Sequence, residues 1–307
     1  MSNRLLVIVG PTASGKSELA VRLAKKFDGE VISADSRQVY KGMDIGTGKV
    51  PRDKNPKPYI LNPEFYTYKG IPHHMFDIAS PKRTFTVAEY QKLALKTIKD
   101  IWQRGKLPIL CGGTGLYIRA VRDGLVFPEV PPNLKLRIKL EKKSTKELFE
   151  ILQKKDPRRA ENIDSQNRRR LIRALEIIEK LGFVPELGLK PIYAKVPTIG
   201  ITKDKETLKN LIRKRLFKRL RVGMIKEVKK LHSSGISWKK LENFGLEYRQ
   251  IARFLQNKIS KKEMIETLFL EIYTYAKRQM TWFKKDETIR WIKNYKEAED
   301  LIKKSAL

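Results

Sequence analysis

The segment Leu5-Leu6-Val7-Ile8-Val9-Gly10-Pro11-Thr12-Ala13-Ser14-Gly15-Lys16-Ser17 decides the architecture. Its five consecutive apolar residues are the pattern of a strand buried on both faces. A glycine-bounded turn follows, and then Leu19, Ala20, Leu23, Ala24 and Phe27 mark one face of a helix. The turn matches G-x-x-x-x-G-K-[ST] in full and lies between strand and helix, the setting in which that spacing has a physical purpose. Its glycines let the backbone curl so that successive N–H groups point inward, while the helix N-terminus adds positive potential. Lys16 is placed to reach terminal phosphates and the Ser17 hydroxyl to ligate Mg²⁺. Gly10, Pro11, Thr12, Ala13, Ser14, Gly15, Lys16 and Ser17 are therefore the expected phosphate-binding residues.

Outward from this turn, Glu30-Val31-Ile32-Ser33-Ala34 reads as a second strand, residues 87–102 as a helix, and Leu107-Pro108-Ile109-Leu110-Cys111 as a third strand. Strands alternating with helices predict a parallel sheet covered on both faces, an α/β fold of the P-loop NTPase-like kind. The character changes after about residue 120. Val130-Pro131-Pro132 punctuates the chain, and no strong strand pattern follows until Thr198-Ile199-Gly200-Ile201. The clearest helix between them is 168–181, bounded by Asp156-Pro157 and Gly182. This predicts a helical insertion over 121–197 within a core of 1–120 and 198–307. The C-terminal part of that core reads as helical, with Leu208, Ile212, Leu216, Leu220, Met224 and Val228 recurring every fourth residue.

Composition narrows the partner. The 307 residues carry 66 Lys and Arg against 34 Asp and Glu, a net charge of +32. So large an excess implies a polyanion, nucleic acid before an acidic membrane surface. The excess is +10 over 1–120, +7 over 121–200 and +15 over 201–307, and residues 203–230 hold 12 bases against 3 acids. That stretch is too lopsided for an ordinary solvated helix face. One cysteine (Cys111) and three histidines (His73, His74, His232) exclude a disulfide framework and a zinc cluster. With no apolar run near the ~18 residues of a spanning helix, a soluble protein of the cytoplasm is expected.

The phosphate cradle does not by itself name a nucleotide, although such loops commonly mark ATP-binding proteins. A motor or signalling NTPase would show a further strand ending in a Mg²⁺-ligating acid. Here the third strand runs into Gly112-Gly113-Thr114-Gly115, and the strand that ends in an acid is the second, at Asp35. In a parallel sheet the C-terminal ends of such strands share one crevice. Asp35 would then face the phosphate site and could take a proton from an acceptor, a geometry of group transfer. The alternative is that Asp35 merely caps the turn into Ser36-Arg37.

These residues carry a resemblance. Gly10 to Ser17, Ser33-Ala34-Asp35-Ser36-Arg37-Gln38-Val39-Tyr40 and Lys41-Gly42-Met43-Asp44-Ile45-Gly46-Thr47 resemble the tRNA dimethylallyltransferases, also called tRNA isopentenyltransferases. Pro72-His73-His74-Met75-Phe76-Asp77, Gly112 to Tyr117, Arg170 to Glu176 and Lys277-Arg278-Gln279-Met280-Thr281-Trp282 agree with it. The resemblance implies transfer of a dimethylallyl group from its diphosphate to N6 of the adenosine 3′ of the anticodon. It implies Mg²⁺, an anticodon stem-loop partner and dimethylallyl diphosphate in the cradle; apart from the resemblance, no membrane partner and a monomer are expected. Asp35 would be the base, Thr114 would help position substrate, and Arg215 would contact the diphosphate. Four positions before Arg215, where the family pattern has a partner residue, this chain has Leu211. The residues implied to contact tRNA are Asp35, Ser36, Arg37, Gln38, Arg169, Arg170, Leu171, Ile172, Arg173, Gly245, Tyr248, Arg249, Lys277, Arg278, Thr281, Trp282 and Lys284.

Two other classes share the cradle: a nucleotide kinase or adenylate isopentenyltransferase, and an RNA-binding ATPase. The charge in 203–230 weighs against the first, because a free nucleotide needs no such surface. If that charge follows a tRNA backbone, tRNA affinity will fall steeply with salt, each neutralised phosphate adding roughly 0.7–0.9 to the log–log slope. Affinity for a small diphosphate will fall much less. Binding titrations across salt concentrations check this, and a tRNA affinity indifferent to salt would assign the excess to a Lys-rich surface.

Overall fold

The computed structural model describes residues 4–54, 66–191 and 196–304, which divide into two compact units, Met1–Gly124 with Pro191–Leu307, and Leu125–Lys190. The first unit holds seven described strands: β1 (Leu6–Val9), β2 (Gly29–Ala34), β3 (Tyr66–Tyr68), β4 (Ile71–His74), β5 (Leu107–Gly112), β6 (Thr198–Ile201) and β7 (Ile289–Ile292). They form one sheet in the order β3-β4-β2-β5-β1-β6-β7, parallel throughout except for β3 against β4. The phosphate loop thus leaves a central strand.

Period-two alternation splits β1 between two cores. Leu5, Val7 and Val9 enter one with α2 (Val87–Gln103) and α3 (Gly115–Arg122), together with α8 (Lys205–Val222), α9 (Met224–Ser233), α10 (Trp238–Phe244), α11 (Leu246–Leu255) and α12 (Lys261–Lys284). Leu6 and Ile8 enter the other, with α1 (Lys16–Lys26) and α13 (Tyr295–Lys304). Five consecutive apolar residues are needed because both faces are covered.

Three features depart from the expected pattern. β3 and β4 make a hairpin whose sequence, rich in aromatic and histidine residues, carries no buried-strand signature; His73 is buried and His74 Nε2 lies 2.6 Å from Glu30 Oε2. β7 pairs with β6 although only its two end residues, Ile289 and Ile292, are buried. The every-fourth pattern of 208–228 is two helices: Gly223, at φ 113 in the left-handed region, ends α8 and precedes α9.

The second unit packs α4 (Leu134–Leu140), α5 (Thr145–Lys155), α6 (Pro157–Glu161) and α7 (Arg168–Leu181) around Leu148, Leu152, Leu171 and Leu175. Asp156 caps α6 through Arg159 N at 3.0 Å, and its second oxygen accepts Val184 N at 2.8 Å. Glu176 lies inside this unit, accepting Arg137 Nε and Nη2 at 2.7 Å each and Asn133 N at 2.8 Å. Burial alone would raise its pKa, but Arg137 and the Asn133 amide outweigh burial and hold it below the usual carboxylate value.

Because the folded-state pKa is depressed, Glu176 contributes stability above its unfolded pKa of about 4.3, lost as pH falls through the folded value. Glu176→Gln is expected to cost about 1–3 kcal/mol at pH 7 by stranding Arg137. Urea unfolding at pH 7 and pH 3 checks this: the difference between variant and wild type should shrink in acid.

Candidate active site

Three strand ends lie side by side. Val9 pairs with Gly112, and Gly112 pairs in turn with Ala34. The phosphate loop, the Asp35 turn and Gly113-Thr114 therefore emerge at one level of the sheet. A Cβ on Gly112 would run into the Ala34 carbonyl, so only glycine permits this approach.

The loop has many unspent donors. The amides of Ala13, Gly15, Lys16 and Ser17 have no acceptor among the described residues, and the buried Ser14 hydroxyl has no partner either. Gly15 (φ 97) and Ala13 (φ 64) both adopt left-handed backbone, a strain that non-glycine residues keep mainly at functional turns. Inward-facing amides at a helix N-terminus are an anion site. Two loop amides are spent: Ser14 N donates to Pro11 O at 3.3 Å, and Thr12 N donates to Gln279 Oε1 at 2.8 Å. Gln279 Nε2 donates to Gly113 O at 2.8 Å, so α12 staples the loop to the end of β5.

Lys16 folds back to donate to Pro11 O at 2.6 Å. Although the residue keeps some exposed surface, burial of its ammonium and the nearby Arg215 push the pKa down to about 8, with Asp35 opposing. Arg215 donates Nη1 to Thr12 Oγ1 at 3.3 Å. Burial and the adjoining Arg219 lower its pKa to about 9, which leaves it a cation at neutral pH. Lys16, Ser17, Arg215 and Arg219 line a cavity of about 890 Å³, whose wall also includes Leu211 and Gly48.

Asp35 and Thr114 lie outside that lining, at the ends of β2 and β5, and Asp35 couples electrostatically with both Lys16 and Arg215. Asp35 Oδ1 accepts Arg37 N at 2.8 Å and Gln38 N at 3.4 Å, so it does cap its turn. Oδ2 makes no hydrogen bond among the described residues. One oxygen holds the turn and the other is left without a hydrogen bond among the described residues. Thr114 Oγ1 accepts Ser36 N at 3.1 Å, clipping the two strand ends together.

The loop after Asp35 is held from several sides. Gln38 accepts Ser33 Oγ at 2.7 Å and donates to Thr47 O and Gly48 O, which spends its amide on protein. Glu227 of α9 collects the amides of Asp44, Ile45 and Gly46 at 2.6–3.0 Å and the Tyr248 hydroxyl at 2.8 Å. Buried Lys49 donates to Asp44 and Asp77 at 2.7 and 2.6 Å.

The remaining expected RNA contacts divide by exposure. On α12, Lys277, Arg278, Thr281, Trp282 and Lys284 are exposed, whereas Phe283 is core. Arg278, Thr281 and Trp282 line a separate cavity of about 700 Å³ with Arg119 and Arg122. Arg37 is half-buried, 5.6 Å from the Phe244 ring centroid, and Ser36 is half-buried beside it. In the second unit Arg169 and Arg170 are exposed, while Arg173 donates to Val130 O at 2.7 Å. Leu171 and Ile172 are buried among the apolar residues of that unit, and Tyr248 is buried on Glu227, so these three side chains offer RNA no surface. Gly245 (φ 79) is the turn before α11, and Arg249 Nε is engaged with Glu242 O at 3.2 Å.

Sequence reasoning overlooked Gln279, Tyr275, Glu227, Glu247 and Arg219. Tyr275 adjoins Thr114 and Asp35, with its pKa raised to about 12 by burial and by Asp35. Gln279 stood inside a recognised block, and Glu247 lies between Gly245 and Tyr248, both expected contacts; the others carry no local signal, since their partners are distant in the chain.

Comparison with known proteins gives a consistent picture. Residues 38–286 match the family described as IPP transferase, and residues 3–57 match isopentenyl transferase. The chain is 44% identical to tRNA dimethylallyltransferase 1 of Syntrophus aciditrophicus over 94% of its own length and 91% of the relative's. It is 41% identical to tRNA dimethylallyltransferase 1 of Geotalea uraniireducens over 100% and 99%. Its structure resembles the crystal structure of a tRNA isopentenylpyrophosphate transferase from Bacillus halodurans, with a TM-score of 0.70, 35% identity, and coverage of 99% and 96%. It also resembles a eukaryotic dimethylallyltransferase acting on tRNA, with a TM-score of 0.73, 28% identity, and coverage of 92% and 70%.

Lys16 can grip an anion only as an ammonium. With a pKa of about 8, its protonated fraction falls as pH rises through that value. The ratio of wild-type to Lys16→Met affinity for inorganic diphosphate should therefore decline above about pH 8, by at most about tenfold per pH unit. Calorimetric titration between pH 6.5 and 9.5 reads it; a flat ratio would remove Lys16 from the anion site.

Proposed function

The chain belongs to the IPP transferase family, and on that premise we propose that it transfers a dimethylallyl group from dimethylallyl diphosphate to N6 of the adenosine 3′-adjacent to the anticodon of tRNA, releasing diphosphate. The observation that carries this reading is the arrangement of unspent cradle amides, Lys16 and Arg215 alongside the free oxygen of Asp35. It sets an anion site next to a proton acceptor.

In this mechanism the cradle amides, Lys16 and Arg215 take up the charge of the diphosphate, and gain strength as the leaving group departs. The N6 lone pair attacks C1 of the dimethylallyl group. The C1–O bond breaks and its electron pair leaves with the diphosphate, while the N6 proton passes to Asp35 Oδ2. Thr114 holds the Asp35 turn in place through Ser36 N. The target base leaves its stack to reach this point.

Among the described residues no group of three His, Cys, Asp or Glu could hold a metal by itself. Ser17, exposed beside the cradle, offers a single hydroxyl. That donor set fits Mg²⁺, which keeps waters and substrate phosphates as most of its ligands. Ser17 would hold it, and the ion would supply further neutralisation of the leaving charge.

We assign tRNA contact to the exposed groups: Arg169 and Arg170 of the helical insertion, and Lys277, Arg278, Thr281, Trp282 and Lys284 on α12. The insertion, read as 121–197 in the sequence and compact over Leu125–Lys190, would grip the anticodon stem-loop. No described helix is long and apolar enough to cross a membrane; the reading takes the protein as a cytoplasmic monomer.

Incubation with labelled dimethylallyl diphosphate and either unmodified tRNA or AMP tests the proposal. Label is expected on tRNA alone. Label on AMP alone, or ATP consumed with no label transferred, would overturn it. Asp35→Asn keeps the Oδ1 cap of the turn and removes the base. It should retain tRNA affinity while slowing single-turnover transfer by on the order of 10²–10⁴-fold; near-normal transfer would sink the base assignment.

A further inference from the structure

Arg215 and Arg219 lie one helical turn apart on α8, and both line the cavity beside the phosphate cradle. Their hydrogen bonds account for only one side of each guanidinium. Arg215 uses Nη1 on Thr12. Arg219 donates Nη1 to Glu247 Oε1 at 3.0 Å and to Gly46 O at 3.3 Å. Neither Nη2 has an acceptor among the described residues.

These two Nη2 groups nevertheless converge. Both occupy the volume that a single methyl group on Gly48 would fill. Gly48 is needed there for its left-handed backbone, φ +65, and again because any side chain would drive the two cations apart. Two half-buried guanidinium groups aimed at one point repel each other, and Arg219 accordingly lowers the pKa of Arg215. Glu247 offsets one of the charges: its ion pair with Arg219 has each side chain about 11% exposed. No carboxylate accepts from either Nη2. Two converging guanidinium donors without acceptors among the described residues, in one cavity wall, match an oxyanion with several acceptor oxygens.

We propose that Arg219 is a second diphosphate-binding arginine, forming with Arg215 a two-guanidinium clamp that Glu247 holds in position. The clamp rests on the reading of the chain as a user of dimethylallyl diphosphate. Leu211 lines the same cavity one turn before Arg215 and offers no donor, whereas Arg219 enters the wall from one turn after it.

The test uses the full chain and titrates inorganic diphosphate and dimethylallyl diphosphate into wild type, R219L and R219K. R219L strands the buried Glu247 carboxylate, so R219L/E247L, which removes the pair together, is measured beside it. Both leucine-bearing variants should bind either diphosphate roughly 10- to 100-fold more weakly, with tRNA affinity within about twofold of wild type at fixed salt. R219K should recover part of the loss, since it restores charge but not the planar fork. Diphosphate affinity unchanged in R219L/E247L, or diphosphate and tRNA affinity lost together, would overturn the clamp. A wild-type chain that binds neither diphosphate would refute the transfer reading itself.

Discussion

The placement of Gly112 between Val9 and Ala34 is the constraint on which the rest of the molecule depends. Parallel pairing brings three strand ends to one level, and the missing side chain lets the Ala34 carbonyl approach. The phosphate cradle, the Asp35 turn and Thr114 follow as the next residues in their strands. This pairing brings an anion-binding loop and a carboxylate from separate strands into one crevice. Around that core the alternating side chains of β1 anchor helices on both faces, and α12 reaches back through Gln279 to fix the loop itself.

Charge works on two scales. Across the surface the excess of bases provides a long-range field for a polyanion. Inside the cavity Lys16, Arg215 and Arg219 share a wall with Glu18, Asp44 and Asp77, but Glu18 pairs with Lys69 and the two aspartates with Lys49. Burial disfavours the charged forms of Lys16 and Arg215, so these two gain most from a ligand that returns negative charge to them. Asp35 and Glu247 keep the cluster from being wholly uncompensated, and they do so differently. Glu247 is buried in an ion pair with Arg219, whereas Asp35 retains an oxygen free of protein donors.

Legibility tracked the range of the interactions. The α7 boundaries were readable because Asn167 accepts the Arg170 amide at one end and Gly182, at φ 82, closes the other. β5 was readable because it is buried on both faces. The β3–β4 hairpin and β7 were not: β3 and β7 are edge strands, β4 is only four residues long, and all three carry mixed side chains and depend on neighbours for pairing. The run from Leu208 to Val228 kept its spacing across a helix break because both helices bury the same kind of stripe. Among site residues, Tyr248 sat in a block associated with RNA, yet burial against Glu227 makes it a brace for the loop at 44–46.

By itself the sequence determined the strand, cradle and helix at the N-terminus, because their geometry rests on contacts within a dozen residues and on glycines that permit left-handed backbone. It also determined that an acid follows one buried strand and that the chain carries a large cationic excess. Only the tertiary structure decided which cations face the cradle and which face solvent. Arg219 and Lys218 are adjacent in a basic helix, yet only Arg219 meets Glu247 and the space above Gly48. Such selection depends on side chains from α8, α11 and the loop at 44–48 arriving at one place, which is a property of packing and not of local spacing.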